Sequence, residues 1–313
     1  MRTHPVSGGT GRRVALAALA VLLLPLAACS KTPAGATPGA AGQKNAQPFS
    51  AFLGDALGVV DYAQLKALGQ CMADAGYPQN LRVMGPAPRN PFPQLVLTDA
   101  TFGPPTEQVA KEHGFGQDEA PVPPAIASFD PNYDHASDQC TSNAWKKLPP
   151  NAEKVYYSYF DLGNALSRPF LMTVYQRVGQ PKWKTLLTCL AGKGYHTSQE
   201  DSFFRVPDPG LFGVPLGDSA PDPAETWKPK EVPGTVEVGP ATPAKRYVPS
   251  GRESDFAVAW FTCERDTGIA KLQMDTAMQV QQELVAKNEA KLTELNPQIQ
   301  AIAKQAAALI GQQ

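Results

Sequence analysis

Five residues that could do chemistry lie within nine positions in the first half of the chain: Asp130, Asp134, His135, Ser137 and Asp138. Carboxylates, a hydroxyl and an imidazole are the side chains that serve in hydrolysis and in metal binding. A catalytic triad, however, is defined by geometry in space and not by closeness along the chain. On a helix, residues 134 and 138 would share one face as like charges. We therefore interpret the group as a solvated helix start with capping acids, and we predict no catalytic or metal site.

The chemistry of Cys29 is better defined by the residues around it. It closes the tetrapeptide Leu26-Ala27-Ala28-Cys29, which follows an apolar run and three arginines. This pattern is typical of a bacterial lipoprotein signal, in which the cysteine thiol takes a lipid. An ordinary secretory signal cut at another bond is the alternative. We predict that residues 1–28 are removed, that Cys29 carries a diacylglyceryl group and acyl chains, and that the protein needs no other cofactor.

Such an anchor would hold the protein on the outer face of the cytoplasmic membrane, because two or more chains give stable attachment. Arg12-Arg13 also fits the twin-arginine export route, although the general secretory route fits better. Residues 29–48 are rich in Ala, Gly, Thr and Pro and have almost no large apolar side chain. Such a segment cannot bury enough surface to order itself, so we predict a flexible tether.

Composition excludes one class of partner and locates the irregular segments. The 313 residues carry a net charge of −1, and the absence of a basic excess argues against nucleic acid. Hydrophobic residues make up 42%, which is enough for a core. Of the 31 prolines, eleven lie in 78–131 and ten in 207–249. Loops this long are often functional or disordered.

Four cysteines remain after Cys29: Cys71, Cys140, Cys189 and Cys263. An even set in an exported chain predicts two disulfides, for which three pairings are possible. A metal site is the weaker alternative, because no two cysteines lie close in sequence and the histidines are scattered.

An internal duplication favours one of the three pairings. Residues 65–77 and 183–195 share Lys, Leu, Cys, Ala, Gly and Tyr at the same offsets. Each segment has apolar residues at helical spacing and ends in Gly-Tyr, which suits a glycine just past a helix end with the tyrosine folded back. The next cysteine follows after 69 residues in one half and 74 in the other. Chance similarity is the alternative, but this spacing favours duplication and the pairs Cys71–Cys140 and Cys189–Cys263.

The predicted fold is therefore mainly α. It consists of duplicated, disulfide-linked helix pairs with long proline-rich inserts, small β segments and a long C-terminal helix. We place the first half-repeat at 49–150, the second at 151–270 and the C-terminal helix or helical hairpin at 271–313. The second cysteine of each half falls in a predicted helix, 133–148 or 253–271. Predicted extended segments within the inserts are 94–97 and 235–238, which could pair as small strands, and 203–209 is another candidate.

The C-terminal part has no proline from Glu253 to Asn296 and is rich in helix-forming residues. We expect Ser254 or Asp255 to cap its start, Gly268 to loosen it, and Pro297 to kink it or begin a second helix. An apolar stripe continues at helical spacing. A seam for a partner helix is one interpretation, but packing on the chain's own helices is favoured because the stripe is short. The stripe consists of Leu292, Leu295, Ile299, Ile302, Ala306 and Leu309.

Among the aromatic residues, Trp227 is the candidate ligand-binding residue. It lies in a polar, proline-rich insert, where a large ring requires either a packing partner or a ligand such as a sugar or peptidoglycan. Tyr156, Tyr159 and Phe160 fall on one helical face, which is more typical of a core.

The chain resembles a group of actinobacterial secreted proteins and lipoproteins. The resemblance rests on the helix ends Cys71-Met72 to Gly76-Tyr77 and Cys189-Leu190 to Gly194-Tyr195, and on Ala257-Val258-Ala259 to Cys263, which runs into a long C-terminal helix. It covers roughly residues 60–295. It implies an exported location, disulfides and a helical core, and it implies no activity or catalytic residue.

These observations predict a non-enzymatic envelope lipoprotein whose inserts contact cell-wall polymer or an envelope or transport complex. A solute-binding lipoprotein of a transport system is the alternative, although the alternation of strands and helices typical of such receptors is missing. An enzyme of an unrecognised type is a third possibility, because a fold does not determine a function.

Overall fold

The computed structural model describes residues 46–218 and 227–311, so Cys29 and the predicted signal lie outside the described residues. The described chain is mainly α, as predicted. Two short strands are β1, Ile126–Ser128, and β2, Val236–Val238. The helices are α1 Gly54–Asp74, α2 Glu107–His113, α3 Pro131–Lys146, α4 Ala152–Val178, α5 Gln180–Gly192, α6 Glu200–Arg205, α7 Gly251–Thr267, α8 Ile269–Lys287 and α9 Glu289–Leu309.

Local chemistry sets where these helices begin and end. Side chains of Thr106, Asp130 and Ser250 cap α2, α3 and α7 by accepting hydrogen bonds from backbone N–H groups that the helix leaves unpaired. Ser250 therefore takes the capping role that we predicted for Ser254 or Asp255. Gly268, with a φ of 70°, ends α7, so the glycine that we expected to loosen a helix terminates it.

The interior consists of two hydrophobic clusters. The larger one lies among α1, α4, α8 and α9, where α4 packs along α8 and α1 packs along α9. It includes Tyr159 and Phe170 from α4, both fully buried. The smaller cluster lies among α5, α6 and α7 and is rich in aromatic rings. The first disulfide-linked pair, α1 and α3, borders the larger cluster, and the second, α5 and α7, forms the smaller one.

The two proline-rich inserts pair with each other. β1 lies in the first insert and β2 in the second, and they run antiparallel with Ala127 opposite Glu237. Isolated bridges at Glu119–Lys245 and Val122–Thr242 continue the pairing. Each insert thereby satisfies part of the other's backbone, which neither could do alone.

The structure corrects two of the predicted extended segments. Residues 94–97 overlap a 3₁₀ turn at Pro93–Leu95 and form no strand. Residues 236–238 form β2, and β2 pairs with β1 and not with residues 94–97. Residues 203–209 begin inside α6, and the side chain of Phe203 is fully buried in the aromatic cluster. Short apolar runs do not distinguish a strand from a buried helical turn, which explains both errors.

The predicted helix at 253–271 is α7, which ends at Gly268, and the predicted C-terminal helix or helical hairpin at 271–313 consists of two helices, α8 and α9, separated at Asn288. Pro297 lies inside α9 and starts no new helix. Five residues of the apolar stripe are buried in the larger cluster, whereas Leu309 is exposed. Packing on the chain's own helices therefore accounts for the stripe. In the residues that the structure describes, no helix has both the length and the hydropathy to span a membrane.

Candidate functional site

Each half of the molecule contains one disulfide-linked helix pair. Cys71 on α1 is bonded to Cys140 on α3, and Cys189 on α5 to Cys263 on α7, with Cα–Cα distances of 5.5 and 5.7 Å. These are the two pairs that the cysteine spacing favours. In each pair the bond closes a loop that contains one proline-rich insert.

The ends of α1 and α5 have the same geometry. Gly76 and Gly194 adopt φ angles of 97° and 90°. The N–H of Tyr77 donates to the carbonyl of Met72 at 2.8 Å, and the N–H of Tyr195 donates to Leu190 at 3.0 Å. These are the six-residue bonds of a Schellman motif, in which a left-handed residue, usually glycine, ends the helix.

The tyrosine after each glycine then packs on an aromatic ring of the linked helix. The ring centroids of Tyr77 and Tyr133 lie 4.9 Å apart, and those of Tyr195 and Phe256 lie 4.6 Å apart. Tyr133 precedes Cys140 by seven residues, and Phe256 precedes Cys263 by seven residues. This shared contact extends the likeness of the two halves from sequence to side-chain packing.

An apolar pocket opens between α1 and α3 in the first pair. Its volume is about 340 Å³, within the range of roughly 300–1,000 Å³ that is usual for small-molecule sites. The apolar part of its lining comes from α1, from the residues that follow it and from the loop before α3. This part consists of Leu65, Leu68, Met72, Val83, Met84, Pro123 and Ile126.

Polar atoms are few in this pocket. The hydroxyl of Tyr133 donates to Asn80 Oδ1 at 2.9 Å, and Ser137 on α3 is half-buried. Burial raises the pKa of the Tyr133 hydroxyl above its ordinary value of 10.0, and the carboxylate of Asp134 adds to the effect, so the hydroxyl stays protonated. The pocket therefore presents a largely apolar surface with hydroxyl groups on one side.

The same positions in the second pair are filled. Six residues before the cysteine, Leu65 is 42% exposed whereas Trp183 is fully buried. Three residues before the second cysteine, Ser137 corresponds to the buried Trp260. Trp260 packs against Phe203 and Phe212, whose ring centroids lie 5.8 and 5.9 Å away. In the second pair, buried tryptophans thus stand at the positions that align with Leu65 and Ser137, which line the open pocket of the first pair.

Two buried carboxylates further distinguish the second pair. Glu253, at the start of α7, is fully buried and accepts hydrogen bonds from Phe115 N–H at 2.8 Å, from Gly217 N–H and from the Tyr247 hydroxyl. Burial and this carboxylate raise the pKa of Tyr247 to about 12. Glu253 thereby fastens both inserts to one helix end, and its saturated hydrogen bonding is typical of a structural carboxylate.

Glu264 is buried in a different environment. It is 4% exposed, its carboxyl lies against the backbone of Gly103, and Oε1 has no hydrogen-bond partner among the described residues. Burial raises its pKa to about 8, although a hydrogen bond with Trp260 opposes the shift. The adjoining cavity measures about 100 Å³, which leaves room for only a few water molecules. This site suits bound water better than an organic ligand.

The acidic group that opened the sequence analysis is a helix start. Asp130 Oδ1 accepts from Asn132 N–H at 2.9 Å, and His135 contacts Gln139 at 2.9 Å on an exposed surface. Ser137 faces the apolar pocket instead. Within the described part of the chain, no cluster of three or more His, Cys, Asp or Glu side chains could hold a metal ion.

Trp227 is half-buried, and its ring lies against the backbone of Gly239, just past β2. It therefore has the packing partner that a large ring in a polar insert requires. Its role as a ligand-binding residue stays a prediction.

Sequence reasoning missed the pocket between α1 and α3. The duplication contained the signal, because aligning each half on its cysteines sets Leu65 against Trp183, Gly69 against Leu187 and Ser137 against Trp260. At all three positions the side chain of the first half is smaller than that of the second half, and this difference in volume predicts a pocket in the first helix pair.

Comparison with known proteins adds no relative: no family model, curated protein or solved structure matches the chain.

Proposed function

We propose that the protein is an extracytoplasmic lipoprotein, anchored through a lipid on Cys29, that binds an apolar ligand in the pocket between α1 and α3. It acts as a non-enzymatic binding protein of the cell envelope. The observation that carries the binding function is the contrast between the open first pair and the filled second pair. An unfilled apolar cavity lowers the stability of a protein, because packing contacts are lost. The second helix pair shows that the same scaffold can be filled, and binding of a ligand would offset the cost of leaving the first pair open.

Two features support the location. Disulfides persist mainly in oxidising compartments outside the cytosol, and both helix pairs carry one. The lipoprotein signal pattern ends at Cys29. We expect cells fed alkyne-labelled palmitate to label the parent protein at Cys29 and to leave a Cys29→Ala variant unlabelled. Equal labelling of both proteins, or of neither, would contradict the anchor.

The binding function is tested with N-phenyl-1-naphthylamine, an uncharged dye that fluoresces in apolar sites. The chain of residues 30–313 is suitable, because it lacks both the apolar signal and the lipidated cysteine and so needs no detergent, which would itself compete for an apolar pocket. We expect saturable binding to one site. In the same background, Ser137→Trp places the side chain of Trp260 in the first pair and should weaken dye binding about tenfold or more by filling the pocket.

Ser142→Trp is the matched control, because Ser142 is an exposed residue of the same helix and does not line the pocket. It should bind the dye as the parent does. Leu65→Trp provides a second filling variant at a partly exposed position and guards against misfolding of the first. If the parent shows no saturable binding, or if both filling variants bind like the control, the proposed binding function is wrong.

A further inference from the structure

A second cavity adjoins the apolar pocket and differs from it in charge. Its volume is about 520 Å³, and it shares Tyr62, Met84 and Gly85 with the first. Leu81, Leu309 and Ile310 contribute apolar lining, whereas Lys66 from α1 and Lys147 just after α3 contribute positive charge. The two cavities thus form one groove with an apolar end and a cationic end.

The positive charge at this end is not neutralised locally. Among the residues that the structure describes, no aspartate or glutamate lines either cavity. Lys66 Nζ donates to the carbonyl oxygen of Ile310 at 3.3 Å, and neither Lys66 nor Lys147 forms an ion pair with any residue that the structure describes. Two lysines that line one cavity, with no acidic side chain in its described lining, form a local site that favours an anion even in a chain of net charge −1.

Apolar side chains are exposed around the same groove. Leu65, Leu81 and Leu309 are 42%, 47% and 52% exposed and lie along its lining. Isolated exposed leucines are common on protein surfaces, but a set that borders a cavity marks an interaction surface. These residues would be covered by a ligand that extends along both cavities.

We infer that the groove binds a single-chain fatty carboxylate, with its acyl tail between α1 and α3 and its carboxylate beside Lys66 and Lys147. This inference rests on the proposed function, because the tail occupies the pocket that the dye would probe. It adds the polar half of the ligand. A lysine ammonium group attracts a carboxylate as a point charge, while the buried methylene groups supply most of the binding free energy.

Competition against the bound dye separates the two proposals. Dodecanoate, dodecanol and dodecyltrimethylammonium share one tail and differ in head-group charge. Below their micellar concentrations, we expect dodecanoate to displace the dye about tenfold more tightly than dodecanol, and dodecyltrimethylammonium to be the weakest competitor. The preference for dodecanoate should decrease as salt is added, because both lysines are exposed to solvent.

Variants locate the head group. The double variant Lys66→Gln/Lys147→Gln should lose the preference for dodecanoate and keep the affinity for the uncharged dye. Lys146→Gln removes an exposed charge one residue away that lines neither cavity, so it should change nothing.

If the dye binds but dodecanoate and dodecanol compete equally, the inferred carboxylate site is wrong and the proposed function stands. An unchanged preference in the double lysine variant would also overturn the inferred site. Tenfold tighter competition by dodecyl phosphate than by dodecanoate would replace the carboxylate with a phosphate. Absence of dye binding would remove both proposals.

Discussion

The two disulfide-linked helix pairs share a backbone plan and differ in what lies between their helices. In both, a glycine ends the first helix, a tyrosine folds back onto an aromatic ring, and a disulfide joins the second helix. In the second pair Trp183 and Trp260 fill the interior, and in the first pair a pocket of about 340 Å³ remains. The comparison shows that the helix ends and the cross-link define the scaffold, whereas a few side-chain volumes determine whether it encloses a core or a site.

Removing the disulfides should produce the largest effects, and it tests whether the pairs are equivalent in stability. Closing loops of 69 and 74 residues is worth about 4 kcal/mol each in the chain-entropy model. We expect Cys189→Ala/Cys263→Ala to cost more than Cys71→Ala/Cys140→Ala, because Cys263 belongs to the aromatic cluster and its removal also leaves a cavity. Guanidinium unfolding of both variants measures this difference, and a larger loss in the first pair would contradict it.

Glu253 and Asp130 occupy equivalent positions, ten residues before the second cysteine of each pair, and should differ in their effect on stability. Glu253→Ala removes a fully buried carboxylate and leaves the part-buried N–H groups of Phe115 and Gly217 without their partner, so we expect it to lower the free energy of unfolding by about 3 kcal/mol. Asp130→Ala removes one exposed helix cap and should cost about 1 kcal/mol. Similar costs in urea unfolding would show that Glu253 does not fasten the inserts.

Glu264 should give the second pair a pH dependence of stability, because the equivalent residue of the first pair, Thr141, has no charge. The pKa of the Glu264 carboxyl is about 8 in the folded protein and 4.5 in the unfolded chain. Between these values the folded state holds a proton that the unfolded state has released, so the contribution of Glu264 to stability falls as the pH rises.

Relative to a Glu264→Gln variant, we expect the parent to lose about 2 kcal/mol of unfolding free energy between pH 5 and pH 6.5, at about 1.4 kcal/mol per unit. Thermal unfolding of both proteins over this range measures the difference. A constant difference would mean that the folded-state pKa of Glu264 is not raised.

The sequence was sufficient to predict features that depend on local chemistry. Gly76 and Gly194 occupy positions where a helix must end, and the cysteine spacing indicated which helices are joined. The buried C-terminal stripe followed from helical periodicity. Capping by Ser250 could also have been predicted, since Ser250 and Glu253 form the Ser-x-x-Glu pattern of a capping box.

Features that depend on distant contacts could not be predicted in this way. β1 and β2 lie more than a hundred residues apart, and nothing in either short segment identifies the other. Glu253 looks like an exposed residue in a helical first turn, and only the return of both inserts buries it. The pocket depends on volumes summed over α1, α3 and the first insert, so no single residue signals it, and only a comparison of the two repeats could have predicted it.

The most direct test of the open first pair is a crystal structure of residues 30–313 with 12-bromododecanoate, in which the anomalous signal of bromine locates the tail. The pocket and the lysine pair predict one bromine site between Leu68, Met72 and Val83, with the carboxylate beside Lys66 and Lys147. A bromine site in the second helix pair, or an empty groove in crystals where the ligand binds elsewhere, would contradict the view that the first pair is kept open for a ligand.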